Sequence, residues 1–191
     1  ILPATDNDRP VTITHQEGST TVTDWIGFMQ SQTFSGVLYG NPQEREFPVI
    51  CPLGGLSGVD IDFNAGLKNF AYVLKSVCDT IDSKSGNVVT ITSIVIQGGS
   101  DARNWLLTKI DWQNFATEDA DGVMRAKYSI YEVLEDMCRF WGWTARTKGT
   151  VLYLTASDDS AEQSFLTLTR TQLNQLANET STSAGSTSST I

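Results

Sequence analysis

The chain has 191 residues, 40% of them hydrophobic and 18% charged, which suits one globular domain or two small ones with a core that needs no disulfide staples. No apolar run approaches the roughly 20 residues of a membrane helix, so membrane insertion is not expected. No charged n-region leads into an apolar h-region either, and no signal peptide is expected. Lys and Arg number 13 against 22 Asp and Glu, a formal net charge of −9. Nucleic-acid binders neutralise phosphates with clustered cations, and here the densest basic group is only Arg139, Arg146 and Lys148. Sequence-specific nucleic-acid binding and docking on an anionic membrane are therefore not expected.

In chain order, residues 1–63 read as β-rich. Val11-Thr12-Ile13-Thr14-His15 alternates with the period of a half-buried strand, and Trp25 to Tyr39 carries Ile26, Phe28, Phe34, Val37 and Tyr39. Gly40-Asn41-Pro42 is a turn signal before Phe47 to Cys51, and Val59 to Phe63 alternates again. Residues 64–158 read as an α+β part. Its first helix carries Leu67, Phe70, Ala71, Leu74, Val77, Cys78 and Ile81 on one face, with Asn64 as N-cap and Lys84-Ser85-Gly86-Asn87 as stop. Val88 to Ile96 predicts a strand, and Ser100 or Asp101 then caps a short helix with Trp105, Leu106 and Ile110.

Phe115 to Gly122 reads as an acidic loop. Ser129-Ile130-Tyr131-Glu132 is a capping box, opening a helix that buries Ile130, Val133, Leu134, Met137, Cys138 and Trp141. Gly142 suits a left-handed C-terminal cap, and a hairpin follows through Thr155, turning at Thr147-Lys148-Gly149. Residues 159–177 hold a weak helical pattern from Leu166 to Leu176. Residues 178–191 form a Ser/Thr-rich tail. The fold class expected is α+β with mainly antiparallel strands, two amphipathic core helices and a C-terminal helix–hairpin unit. Tyr72 to Cys78 also echoes Glu132 to Cys138, which fits two core helices sharing a pattern or a duplicated strand–helix unit.

Candidate chemistry is sparse. His15 is the one histidine, in a polar strand without a nucleophile elbow nearby. Cys51, Cys78 and Cys138 are an odd number with no C-x-x-C spacing, so they read as buried thiols of a protein assembled in a reducing compartment; a disulfide between two of them is the minor alternative. Glu132, Glu135 and Asp136 share a helix, but the first is used by the capping box and the others fit a solvated face. Glu118 to Gly122 has hard oxygen ligands and a turn glycine, yet lacks the remaining ligand positions of a calcium loop. No phosphate-cradling glycine motif is present. No catalytic, metal or cofactor residue is assigned, no cofactor is expected, and the chain is not expected to be an enzyme.

The run Tyr131 to Thr144, followed by Gly149-Thr150-Val151-Leu152-Tyr153-Leu154, resembles tail proteins of phages and prophages of Bacteroidetes. The upstream elements Phe47-Pro48-Val49-Ile50-Cys51-Pro52-Leu53-Gly54-Gly55-Leu56 and Gly66-Leu67-Lys68-Asn69-Phe70 resemble the same proteins. The likeness spans roughly Gly36 to Asp158 and rests on pattern and order, while longer chains are expected of the family. It implies a baseplate-hub or tail-tip component, assembled in the bacterial cytoplasm and carried in the virion tail. Such hubs combine β-barrel-like domains with small α+β elements and assemble as rings, commonly trimers, around the path of phage DNA. The partners implied are further copies of this chain and other tail proteins. The competing readings are a carbohydrate- or surface-binding module, with Trp25, Trp105, Trp112, Trp141 and Trp143 as stacking platforms, and a tail protein fused to a hydrolase domain outside this segment.

The tail generates a first prediction. Nine of the fourteen residues from Asn178 to Ile191 are Ser or Thr and only Ile191 is large and apolar, too little to offset ordering entropy. Limited proteolysis is expected to remove it without moving the thermal midpoint; a large destabilisation would show that it packs on the body.

Overall fold

The computed structural model describes residues 10–29, 49–63, 66–86, 89–156 and 164–179. The fold is α+β, with strands that pair mainly antiparallel. Its centre is a four-stranded sheet ordered β11-β5-β10-β9, made of β5 (Ser93–Gln97), β9 (Trp143–Lys148), β10 (Val151–Ala156) and β11 (Phe165–Thr169). β10 runs parallel to β5, and the other two pairings are antiparallel. Ile94, Ile96, Leu152, Leu154 and Leu168 form its buried face. Helices α1 (Phe70–Lys84), α3 (Ile130–Trp141) and α4 (Arg170–Asn178) share that core, and α1 packs against both of the others.

The strongest sequence signals are realised. Ser129 accepts from the Glu132 N–H while Glu132 Oε2 accepts from the Ser129 N–H at 2.7 Å, closing the capping box of α3. Gly142 ends that helix at φ 69°, left-handed, and β9 and β10 form the expected hairpin. The echoed heptads mark the buried faces of two packed helices: Val73, Leu74, Val77 and Cys78 on α1 correspond to Val133, Leu134, Met137 and Cys138 on α3, all inside. Trp141, expected inside, is half-buried.

Several boundaries differ, each for a local reason. The N-cap of α1 is Asn69, whose Oδ1 accepts from the Tyr72 N–H at 3.0 Å. Leu67, expected on the helix, instead lies in β4 (Leu67–Asn69), paired with β6 (Lys109–Asp111), and is 60% exposed. Val89 and Ile91 are buried without joining β5, because their N–H groups donate to Ser85 Oγ and Asp82 Oδ1 rather than to a ladder. α2 (Gly99–Leu106) starts from Gly98 rather than Ser100 or Asp101, with the Gly98 and Gly99 N–H groups bonded to the Ser164 carbonyl. Ile110 falls beyond it, in β6.

The expected acidic loop is a hairpin of β7 (Ala116–Glu118) and β8 (Met124–Ala126), entered from a 3-10 turn at Trp112–Phe115. The weak helix expected from Leu166 is a strand and a helix: Leu166 and Leu168 alternate with Thr167 and Thr169 in β11, and a Thr169/Gln172 capping box opens α4. Asn64, the turn at Gly40 to Pro42, Phe34, Val37, Tyr39 and residues 180–191 lie outside the described residues.

Residues 10–29 form an arm on this body. β1 (Pro10–Glu17) pairs antiparallel with β2 (Thr20–Met29), β2 pairs with the short β3 (Val49–Ile50), and β2 lies against β9. The core makes the second prediction. Leu134 is 2% exposed in the common core, so Leu134→Ala is expected to cost about 2–5 kcal/mol in chemical denaturation. A loss under about 0.5 kcal/mol, the scale of exposed changes, would show the helix face to be wrongly placed.

Candidate functional site

The arm presents the most unusual surface. In β2, Phe28 is buried, and Ile26 and the Ile50 of β3 pack on the core. Neighbours two apart, and residues directly opposed in a ladder, share a face. Val11 pairs with Gly27, Ile13 with Trp25, and Met29 with Val49. Val11, Ile13, Trp25, Met29 and Val49 therefore lie together on the face turned away from the core. Ile13 is 55% and Val49 41% exposed. Trp25 closes over Gly27, where a Cβ would stand 2.0 Å from the indole ring, so only glycine fits there. The half-buried β1 expected from its alternation is exposed at every position but Val11, because the body lies beneath β2 and β3.

Charge fastens the arm. His15 Nδ1 lies 2.6 Å from Asp24 Oδ2 and Nε2 lies 3.0 Å from Glu17 Oε1, while Lys148 Nζ of β9 approaches the other Asp24 oxygen at 3.9 Å. The hydrogen bonds to Asp24 and then Glu17 raise the His15 pKa above its ordinary 6.5. The imidazole thus bonds carboxylates and works as a clasp between strands.

The aromatic residues form two runs. Trp105 stacks on Trp141 at 5.2 Å between centroids, Trp143 lies 5.7 Å from Trp105, and Phe70 and Phe140 continue from Trp141. Trp105 also presses on Gly98, where a Cβ would come within 2.4 Å of the ring. The second run, Tyr72, Trp112, Phe115 and Tyr128, joins edge to face, with Trp112 1% exposed. Of the five tryptophans, Trp105, Trp141 and Trp143 thus pack on one another, Trp112 and Trp143 are buried in the core, and Trp25 lies over Gly27. The runs meet at a groove of about 290 Å³ lined by Phe70, Ile110, Phe115, Val133, Met137 and Phe140, the last 70% exposed. Sequence reading missed this groove, although Val133, Met137 and Phe140 follow a helical stripe.

A larger cavity of about 390 Å³ lies between α3, β9 and residues 51–54, with Cys51 and Cys138 in its lining beside Leu134, Trp143 and Glu135. All three cysteines are free thiols. Cys51 is half-buried, against expectation, because it borders this opening, while burial pushes the Cys138 thiol up to about 11. A thiol so far from ionisation is a poor nucleophile near neutral pH.

Four of the candidate carboxylates, Glu132, Glu135, Asp136 and Asp119, are engaged. Glu132 serves the capping box, and its hydrogen bonds from the Ser129 N–H and hydroxyl hold its pKa below the ordinary 4.5. Glu135 and Asp136 both pair with Arg139, at 3.3 and 3.0 Å. Asp119 Oδ1 accepts from the Val123 and Asp121 N–H groups at 2.9 and 3.0 Å, and its other oxygen pairs with Arg125, closing the β7–β8 turn and lowering its pKa. Among the described residues no group of three or more His, Cys, Asp or Glu is placed to hold a metal ion. In comparisons with known proteins, no family model, no curated protein and no solved structure matches the chain.

The clasp gives the third prediction. A histidine whose folded pKa exceeds the unfolded value contributes stability in full below that value and loses it as pH rises through the folded pKa. Protection of β1 and β2 amides from exchange is therefore expected to fall as pH rises above 6.5 and through the raised pKa, and His15→Gln is expected to flatten that dependence. A His15 titration at or below 6.5, followed by its imidazole resonances, would contradict the clasp.

Proposed function

We propose that this chain is a structural subunit of a phage tail tip or baseplate hub, acting through self-assembly into a ring and through contacts with other tail proteins. In this reading it is assembled in the bacterial cytoplasm and carried in the virion tail. The resemblance over roughly Gly36 to Asp158 suggests the class. The observation that carries the reading is the arm's outward face, where Val11, Ile13, Trp25, Met29 and Val49 lie together away from the core. Contiguous apolar surface on a globular protein marks an interaction site. β1, the outer strand of this sheet, is exposed at every position but Val11, so it gains cover from a partner.

A sugar-binding module needs free aromatic faces for stacking, and the mutual packing of Trp105, Trp141 and Trp143 leaves less face to offer. The net charge of −9 suits a ring around DNA, since a lumen rich in Lys and Arg would hold the strand instead of conducting it.

Sedimentation velocity on the purified chain is expected to give a defined multiple of 20.9 kDa, with no duplex-DNA binding at physiological salt. A species that stays at 20.9 kDa at every concentration would remove the self-assembly on which the proposal stands. Measurable duplex binding would remove the lumen argument.

A further inference from the structure

The assembly reading makes no use of the cavity between α3, β9 and residues 51–54. Its volume, about 390 Å³, falls within the roughly 300–1,000 Å³ typical of small-molecule sites. Leu53, Leu134 and Trp143 line it and are all buried, so its wall is apolar. Its charged lining residues are Glu135 and Arg139. The Arg139 guanidinium is divided between Glu135 at 3.3 Å and Asp136 at 3.0 Å, so these three groups together carry one net negative charge. That charge is felt inside the cavity. The Cys138 thiol in its wall is pushed up first by burial and then by the carboxylate of Glu135.

We infer that this cavity binds a small organic cation, an ammonium group carried on an apolar or aromatic body. The body lies against Leu134 and Trp143, and the ammonium stays at the mouth beside the exposed Glu135. Long cationic side chains divide themselves in the same way, burying the stem and keeping the head wet. Charge selects the ligand class. An anion would approach two carboxylates that share one guanidinium, on a chain of net charge −9. A neutral ligand of the same shape would gain the apolar wall but forgo the charge-assisted bond to Glu135. The opening is bordered by the half-buried Cys51, which supplies a reporter at the entrance. The inference stands whether or not the chain assembles.

Three probes of one shape and different charge test it on the full chain at neutral pH: phenethylamine, phenethyl alcohol and hydrocinnamate. Binding is read by calorimetry and by the rate at which N-ethylmaleimide alkylates Cys51, since Cys78 and Cys138 are buried. Phenethylamine is expected to bind and slow the alkylation, the alcohol to bind about tenfold more weakly, and hydrocinnamate not to bind. Glu135→Gln is expected to erase the preference for the amine over the alcohol. Glu118→Gln, which removes an exposed carboxylate on β7, is expected to keep it. Thr144→Trp, at an exposed position in the lining, is expected to abolish binding of both by filling the mouth. Equal affinity for all three probes, or tighter binding of hydrocinnamate, overturns the inference. A preference that survives Glu135→Gln, or binding that survives Thr144→Trp, places the amine elsewhere and overturns it too. A Cys51 that resists alkylation with no probe present shows the opening already covered, and sinks it as well.

Discussion

Asn69 is the polar group on which the helical layer turns. Its side chain is 3% exposed, and both ends of the amide are used: Oδ1 accepts from the Tyr72 N–H at 3.0 Å, and Nδ2 donates to the Leu176 carbonyl at 2.7 Å. The first bond fixes where α1 begins, and the second ties it to the Leu176 carbonyl in the last turn of α4, which also accepts from the Glu179 N–H. Leaving a buried partner unsatisfied costs about 1–3 kcal/mol, so the two helices are held in one relative position. Arg170 adds a second tie, pairing with Asp79 and Asp82 of α1 from the start of α4. With α4 set, the chain enters it directly from β11, and the sheet edge is set too.

The parts of this architecture legible in the sequence are those whose cause is local. The α3 capping box, the left-handed Gly142 and the β9–β10 hairpin each depend on residues a few positions apart, and each stands where the pattern placed it. The α+β class and the antiparallel bias followed from the same signals. What was not legible depended on distant partners. Nothing near Leu67 announces that β6 will draw it into a strand, and nothing near Val89 announces that Ser85 and Asp82 will take the backbone bonds of a strand-like run. The Thr169/Gln172 box was visible in principle, but a helical period laid over Leu166 to Leu176 hid the alternation before it.

The surface chemistry follows the same division. Residues that suggested reactivity are committed to holding the fold: His15 to Asp24 and Glu17, Asp119 to its own turn, Glu132 to a helix end. Of the exposed apolar residues, Ile13 and Val49 instead lie on the outward face of the arm, and Phe140 borders the groove beside α3. A sequence pattern gives periodicity without saying which side the body occupies. The arm shows the consequence, since Val11 and Ile13 alternate as a buried strand would and yet face outward.

The placement of β5 also constrains the order of folding. It lies between β10 and β11, and both of these arrive from much later in the chain. A ribosome that has released β5 has not yet made either neighbour, so Ile94 and Ile96 wait without their sheet until β10, and then β11, has followed. Pairings so distant in sequence close slowly, and the apolar surface they leave open in the meantime favours aggregation. The helix pair α1 and α3, complete before β10, is the part of the core available to shelter that strand while β10 and β11 are made.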